Sequence, residues 1–263
     1  MWRDVLKIFE QHFPLDQQLL IADCTLGLGG HSRCILETFP NSHIIATDLD
    51  TDAIKLAAES LKPFDSRLSL NHANYTEIFN LPRFPSIFPG KKKFDGIILD
   101  LGMSSLQLES SQRGFSFKSD GELDMRFNTN DQTGLTAYKI INFASEYEIA
   151  EIFKSFGEEK DAKAAAEMIC KYRLEQKITS PAHLSKILNY AFFISKSLNK
   201  YDSITKCFQA LRIFINKELE NIETCLKSFV NHLDDGGIML AISFHSLEDT
   251  LVLKYLKEQV RSM

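Results

Sequence analysis

The sequence predicts an α/β fold: a mostly parallel, Rossmann-like sheet with an inserted helical domain. Three features predict it. Short apolar runs alternate with helix-like segments over the first hundred residues; the alternation stops between about 108 and 205, where the pattern turns helical; and an apolar run returns after Gly237. Strands alternating with helices build βαβ units around a parallel sheet. Near-continuous apolar strands belong to a sheet covered on both faces.

In chain order, MWRDVLKIFEQHF mixes Arg3 and Lys7 with Asp4 and Glu10, unlike a signal or transit peptide. Strands follow at LLIADC (19–24), HIIATD (43–48), RLSLNH (67–72) and DGIILD (95–100), with helices at 30–38 and 51–62 between the first three. LPRFPSIFPGKKK (81–93) holds three Pro and one Gly and reads as a loop. EYEIAEIFKSFGEE, AKAAAEMICKYRLE and PAHLSKILNYAFFI read as helices, the last with Pro181 at its start. In 206–230 the apolar residues at 208, 211, 215, 219, 222, 226 and 229 are spaced by threes and fours, which predicts one long amphipathic helix. Asp235-Gly236-Gly237 then turns the chain into the strand IMLAISF. The expected division is a discontinuous sheet domain, 1–107 with 206–263, around an inserted helical domain, 108–205.

Composition narrows the class. With 263 residues, 44% hydrophobic and 25% charged, the chain is an ordinary globular protein that needs no disulfide or metal staple. It has no apolar run of the roughly 18 residues a membrane span needs. Five scattered Cys without a C-x-x-C pair fit a reducing compartment, and no metal site is expected. The net charge of −5 argues against gripping nucleic acid through bulk charge. Locally the balance reverses: 160–200 holds eight Lys/Arg against three Asp/Glu, and Arg83 with Lys91–Lys93 forms a second basic spot. Such clusters are either solvated helix faces or phosphate contacts.

The segment Asp23-Cys24-Thr25-Leu26-Gly27-Leu28-Gly29-Gly30-His31 follows the first strand and opens a helix. Its glycines permit a tight turn and close approach to a ligand. Asp48 ends the next strand, 19 residues after Gly29, where a carboxylate can accept both ribose hydroxyls. The spacing is not G-x-G-x-x-G and no P-loop is present. An adenosine ligand without a pyrophosphate suits both features, S-adenosylmethionine being the commonest; a bare glycine turn is the alternative.

DCTLGLGGHS, DGIILDLGMSSLQL, RGFSF, GELDMR, FGEEK, FQALRIFINKEL and ISFHSLED occur in that order, over about 20–250. Together they resemble the bacterial small-subunit rRNA cytosine-N4-methyltransferases, the MraW/RsmH family. The resemblance implies a class I S-adenosylmethionine-dependent methyltransferase with a helical insertion. It implies cofactor contacts at Gly29, Gly30, His31, Asp48, Tyr75, Asp100 and Gln107, with Tyr75 standing where Phe is common. It implies small-subunit ribosomal RNA as partner, within an assembled or nearly assembled subunit, a cytoplasmic or organelle-matrix location and no membrane, and leaves a homodimer open. Another nucleic acid target, such as DNA cytosine, and a non-catalytic binding relative are the rival functions.

The chemistry is mainly positioning an amino nitrogen in line with the methyl group. Cytosine N4 is a poor nucleophile, so a hydrogen-bond acceptor on it would sharpen its lone pair and later help remove a proton. Asp100, at the carboxyl end of strand four, is the expected catalytic residue. Ser104 and Ser105 are expected donors and acceptors to substrate. Many amino-methyltransferases carry (D/N/S)-P-P-(Y/F) here; this chain has Asp100-Leu101-Gly102-Met103. His245 has two readings, a catalytic or substrate-orienting group and a residue that fixes the Ser246–Asp249 turn. Arg113 and Phe115, with Phe117, either meet a phosphate and a displaced base or anchor the insertion. Asp124 and Arg126 suggest an internal ion pair. Compared with the family, the chain starts and stops short, has Thr250 where Arg is usual and Phe127-Asn128 in place of M-D. An open sheet edge is therefore expected beyond the last strand.

Overall fold

The computed structural model describes all residues except 83–86, 105, 108–111, 132–133 and 263, with side chains through 259. The chain divides into two compact units, Met1–Ser104 with Leu219–Met263, and Ser105–Glu218.

The first unit is built on five parallel strands: β1 Leu20–Asp23, β2 His43–Asp48, β3 Leu68–His72, β4 Phe94–Asp100 and β5 Leu233–Ile242, in the order β3-β2-β1-β4-β5. All of β1, and every residue of β2 and β4 but the last, is buried. Their continuous apolar runs therefore reflect cover on both faces. Alternate residues feed two cores: Leu20, Ala22, Ile45, Ile97 and Leu99 on one face, Ile21, Ile44, Ala46 and Ile98 on the other. Helices α1 Trp2–His12, α2 Gly30–Thr38 and α3 Thr51–Leu61 cover the second face through Phe9, Leu36 and Leu61. The cap of α3 is Asp50, whose carboxylate accepts from the N–H groups of Asp52 and Ala53.

β5 begins earlier than the apolar run suggests. Phe94 pairs with Leu233, then the register jumps so that Gly96 pairs with Ile238. Asp234–Gly237 are accommodated as an irregularity in the strand, with Gly236 at φ +75°. The strand ends at Ile242, so Ser243 and Phe244 lie beyond it.

The second unit contains α4 Ala137–Phe143, α5 Glu146–Gly157, α6 Ala162–Glu175, α7 Pro181–Ile194 and α8 Lys200–Asn216. Their starts are written in the sequence: a capping box of Ser145 and Glu148 opens α5, and Ser180 with Pro181 opens α7. α5 packs closely on α8, because a Cβ at Gly157 would stand 2.6 Å from the Lys206 carbonyl oxygen.

One expectation is corrected here. Residues 206–230 are not a single helix. Lys217 adopts a left-handed conformation (φ +51°) between α8 and α9, Glu218–His232. Phe208 and Leu211 are buried in the second unit, whereas Ile222, Leu226 and Phe229 join a sheet core of the first. Side-chain spacing continues unbroken through a single flipped residue, so periodicity does not register the break. Arg212 and Glu218 pair across it in bidentate fashion at 2.8 and 3.0 Å, both buried. Finally, α10 Ser246–Ser262 packs on the first unit's core through Val252.

Candidate active site

In this strand order, β2 lies to one side of β1 and β4 to the other. The loops leaving β1 and β4 therefore diverge from a switch point at the carboxyl edge, where open α/β sheets bind ligands. The expected residues of the first unit lie at the last positions of strands or in the loops, turns and helix starts that follow them.

After β1, Gly27 and Gly29 take φ +52° and +79°. Gly29 is the N-cap residue of α2, and a Cβ there would fall 2.6 Å from Leu61 Cδ1, so only glycine fits. A Cβ at Gly30 would meet nothing within 4 Å. The loop thus presents bare backbone and open space at a helix N-terminus. Asp48, at the end of β2, accepts the Gly27 N–H on Oδ2 and the Asp50 N–H on Oδ1, both at 2.8 Å. Each oxygen keeps a second lone pair. Burial raises the Asp48 carboxyl above the usual range, opposed by those two hydrogen bonds. A half-buried carboxylate beside an uncluttered glycine turn fits a nucleoside ribose.

Asp100 closes β4. Its N–H donates to Thr25 Oγ1 at 2.7 Å, and its Oδ2 lies 3.0 Å from His31 Nε2. His31 is the second residue of α2, so the glycine loop and the end of β4 are tied together by one hydrogen bond. That bond raises the His31 pKa, against burial, which lowers it. Two atoms of this pair, Asp100 Oδ1 and His31 Nδ1, are buried with no hydrogen-bond partner among the described residues. A buried carboxylate oxygen left open at a ligand-binding edge is a place for an incoming donor. Behind the pair, buried Asp23 accepts from Ser32 Oγ at 2.6 Å, and burial raises its pKa.

The sequence anticipated His31, Asp48 and Asp100 individually. The His31–Asp100 bond and the Thr25 anchor were not anticipated, because partners 69 and 75 residues apart carry no local signal.

His245 stands just past β5. Its Nε2 lies 3.1 Å from Glu248 Oε1, and its Nδ1 faces the Glu248 N–H at 3.5 Å. Glu248, fully buried, also accepts the Phe244 N–H at 2.8 Å. Both ring nitrogens of His245 thus face Glu248, yet Nε2 is buried without a hydrogen-bond partner among the described residues, so the turn-fixing and substrate-orienting readings both stand. Tyr75 opens a 3-10 turn, Tyr75–Asn80, and packs partly buried against a sheet core. Ser104 lies beside Gly27, with its Cβ 3.8 Å from where a Gly27 Cβ would be. Ser105 and Arg83 lie outside the described residues.

In the second unit, Gln107 is buried. Arg113 donates to the carbonyls of Arg126 and Phe127 at 3.1 and 2.8 Å. Phe115 is buried and stacks on Phe127, with ring centroids 5.7 Å apart. These contacts favour anchoring over base or phosphate contact for both. Gly114 (φ +80°) makes the approach possible, since a Cβ there would lie 2.5 Å from the Glu122 carbonyl oxygen. Asp124 and Arg126 form the expected internal pair, at 2.6 and 2.7 Å. Asn216 ties this segment to α8, accepting from Phe127 N–H and donating to the Met125 carbonyl. Among the described residues no helix is long and apolar enough to cross a membrane, and no cluster of metal-ligating side chains occurs.

A sequence model of the MraW methylase family matches residues 1–263. A Pseudoalteromonas atlantica protein named ribosomal RNA small subunit methyltransferase H is 42% identical over 242 residues, covering 92% of this chain and 75% of that protein. Proteins of the same name from Rickettsia felis and Rickettsia massiliae are each 39% identical. They cover 93% and 96% of this chain, and 76% and 78% of their own lengths.

Proposed function

The chain belongs to the MraW methylase family, and we propose that it transfers the methyl group of S-adenosylmethionine to the exocyclic N4 of a cytosine in small-subunit ribosomal RNA. The substrate is the assembled or nearly assembled small subunit, met in the cytoplasm. The observation that carries the chemistry is the open, buried Oδ1 of Asp100 at the carboxyl edge of the sheet.

When bound, the cofactor supplies a methyl group already activated by its positive sulfur. Asp48 would accept the ribose hydroxyls, and Gly29 and Gly30 would let the loop backbone close on the nucleoside without a side chain between. Tyr75 would lie against the adenine, and Gln107 is a cofactor contact by the family resemblance alone. Asp100 does two things with two oxygens. Oδ2 is held by His31, which fixes the carboxylate plane. Oδ1 would accept an N4–H of the cytosine, orienting the lone pair, and would take up the proton that N4 sheds as it gains the methyl carbon, whose bond to sulfur breaks with its electron pair left on sulfur. Ser104, beside Gly27, would supply a further polar contact to the base. His245 acts as a positioning residue, holding Ser243–Ser246 through Glu248. Arg113 and Phe115 keep the insertion ordered for the RNA.

The test offers labelled methyl donor with small subunits, naked ribosomal RNA and duplex DNA, and maps the product by mass. The expected product is N4-methylcytosine, made most efficiently on small subunits. Label in protein, in DNA alone, or on a ring carbon overturns the reading.

A further inference from the structure

The loop after β4, Asp100-Leu101-Gly102-Met103, offers no aromatic ring of its own to the base whose amino group Asp100 must meet. The structure brings one in from the neighbouring strand. Asp100 pairs with Ile242, and Leu101 N–H donates to the Ile242 carbonyl at 2.9 Å, so the residues just past both strands share one edge. There the Phe244 ring lies over the Gly102 backbone. A Cβ at Gly102 would stand 3.3 Å from Phe244 Cδ2 and 3.9 Å from Cε2.

We propose that Phe244 is the platform on which the target cytosine stacks, replacing from β5 the aromatic residue that the β4 loop lacks. This rests on the function proposed above. Three observations carry it. First, Phe244 is 57% exposed, whereas the last six residues of the strand it follows, Gly237–Ile242, are all partly covered. Second, the other exposed phenylalanines among the described residues, Phe143 and Phe193, each have a lysine ammonium over the ring at 4.5 Å, whereas none of the described cations lies over Phe244. Third, the root of Phe244 is fixed, because its N–H is held by buried Glu248, which His245 faces in turn. An exposed ring on a fixed backbone is pre-organised and loses little freedom when a base covers it.

The chemistry calls for such a surface. A cytosine taken out of its stack must present N4 edge-on to Asp100 and in line with the methyl group. A flat face holds the ring in that plane and leaves the amino group free. Gly102 is part of the device: its φ of +93° disfavours any side chain, and a methyl there would push against the ring.

The experiment compares Phe244→Ala, Phe244→Leu and Phe244→Trp in methyl transfer to small subunits, in cofactor binding by calorimetry and in thermal melting. Loss of one stacked base predicts a fall of about 5- to 150-fold in kcat/KM for the Ala and Leu variants. Cofactor affinity and melting temperature should stay unchanged, and the Trp variant should stay within a few-fold of wild type. Wild-type efficiency in Phe244→Ala, or full rescue by Leu, overturns the proposal, as does a loss explained by weakened cofactor binding or melting. A second measurement needs no turnover. The chain has one tryptophan, Trp2, so Trp2→Phe with Phe244→Trp places a single indole at the edge. Its fluorescence should be quenched by cytidine and not by ribose 5-phosphate; equal responses would overturn the stacking role. If the wild-type chain methylates no RNA while this quenching is seen, the function fails and the platform stands.

Discussion

In the sheet unit, the motif residues meet at the carboxyl edge, and part of their hydrogen-bonding capacity is open: Asp100 Oδ1 and His31 Nδ1 lack partners among the described residues, and Gly30 faces open space. In the helical unit, equally distinctive motif residues bond to each other. Arg113 holds two carbonyls, Arg126 holds Asp124, Asn216 holds the Met125–Phe127 backbone and Arg212 holds Glu218. Both sets look alike as sequence, since each is a short run of glycine, charge and aromatic residues. The contrast teaches that a motif signals constraint without saying whether ligand chemistry or folding imposes it. Open bonding capacity at the ligand-binding edge of the sheet, as at Asp100 Oδ1, points to the first, and mutual bonding such as that of Asp124 with Arg126 points to the second.

The sharpest way to break this contrast is Asp100→Asn. It should lower kcat for methyl transfer by about 100-fold or more, the usual range for a lost general base, with melting lowered by no more than the few degrees its bond to His31 contributes. Unaltered kcat would place the chemistry elsewhere. Next is Arg212→Ala, which removes the bidentate partner of buried Glu218. It should cost about 3 kcal/mol in denaturant unfolding and leave cofactor affinity intact. An affinity loss without destabilisation would move Arg212 into the ligand-facing set. Asp48→Ala should weaken cofactor binding by about 10- to 100-fold in calorimetry, as loss of a charged double hydrogen bond implies.

Phe115→Leu sharpens the comparison from the other side. An anchor stacked on Phe127 should lose about 1 kcal/mol of stability with kcat/KM unchanged. A base-stacking residue would show the reverse. The smallest effect expected is on pH dependence. His31 has a raised pKa when folded, because it is bonded to Asp100. Its stabilising contribution is therefore fully present below its ordinary value of 6.5 and is lost as pH rises through the raised folded value. The melting gap between wild type and His31→Gln should be about 2–4 °C at the acid end and close with rising pH. A gap that widens with pH would mean the imidazole works neutral.

Element type and order were legible because they follow from local covalent facts. Apolar runs, glycines and Pro181 act within a few residues, and the strands and helices they announce appear in place, their caps at Ser145 and Ser180 added by the structure. The flip at Lys217 was not legible. It is one residue's φ inside an unbroken apolar period, and the halves of that stripe are buried in different units. The start of β5 was missed for a related reason, since Asp234–Gly237 is polar and enters the strand only through its irregular pairing with β4.

The site divides the same way. Residue type and position relative to a strand end are enough to nominate Asp48 and Asp100, because a parallel sheet puts every strand's carboxyl end on one edge. Which atoms are satisfied and which stand open is a matter of tertiary geometry. Sequence alone established the layered α/β fold, the glycine turn and the acidic residues at the strand ends, all consequences of spacing along the chain. Only the tertiary structure decided that His31 holds Asp100, that Arg113 is spent on its own unit, and that Phe244 covers Gly102. Those facts depend on distances between residues many positions apart, which the folded backbone alone sets.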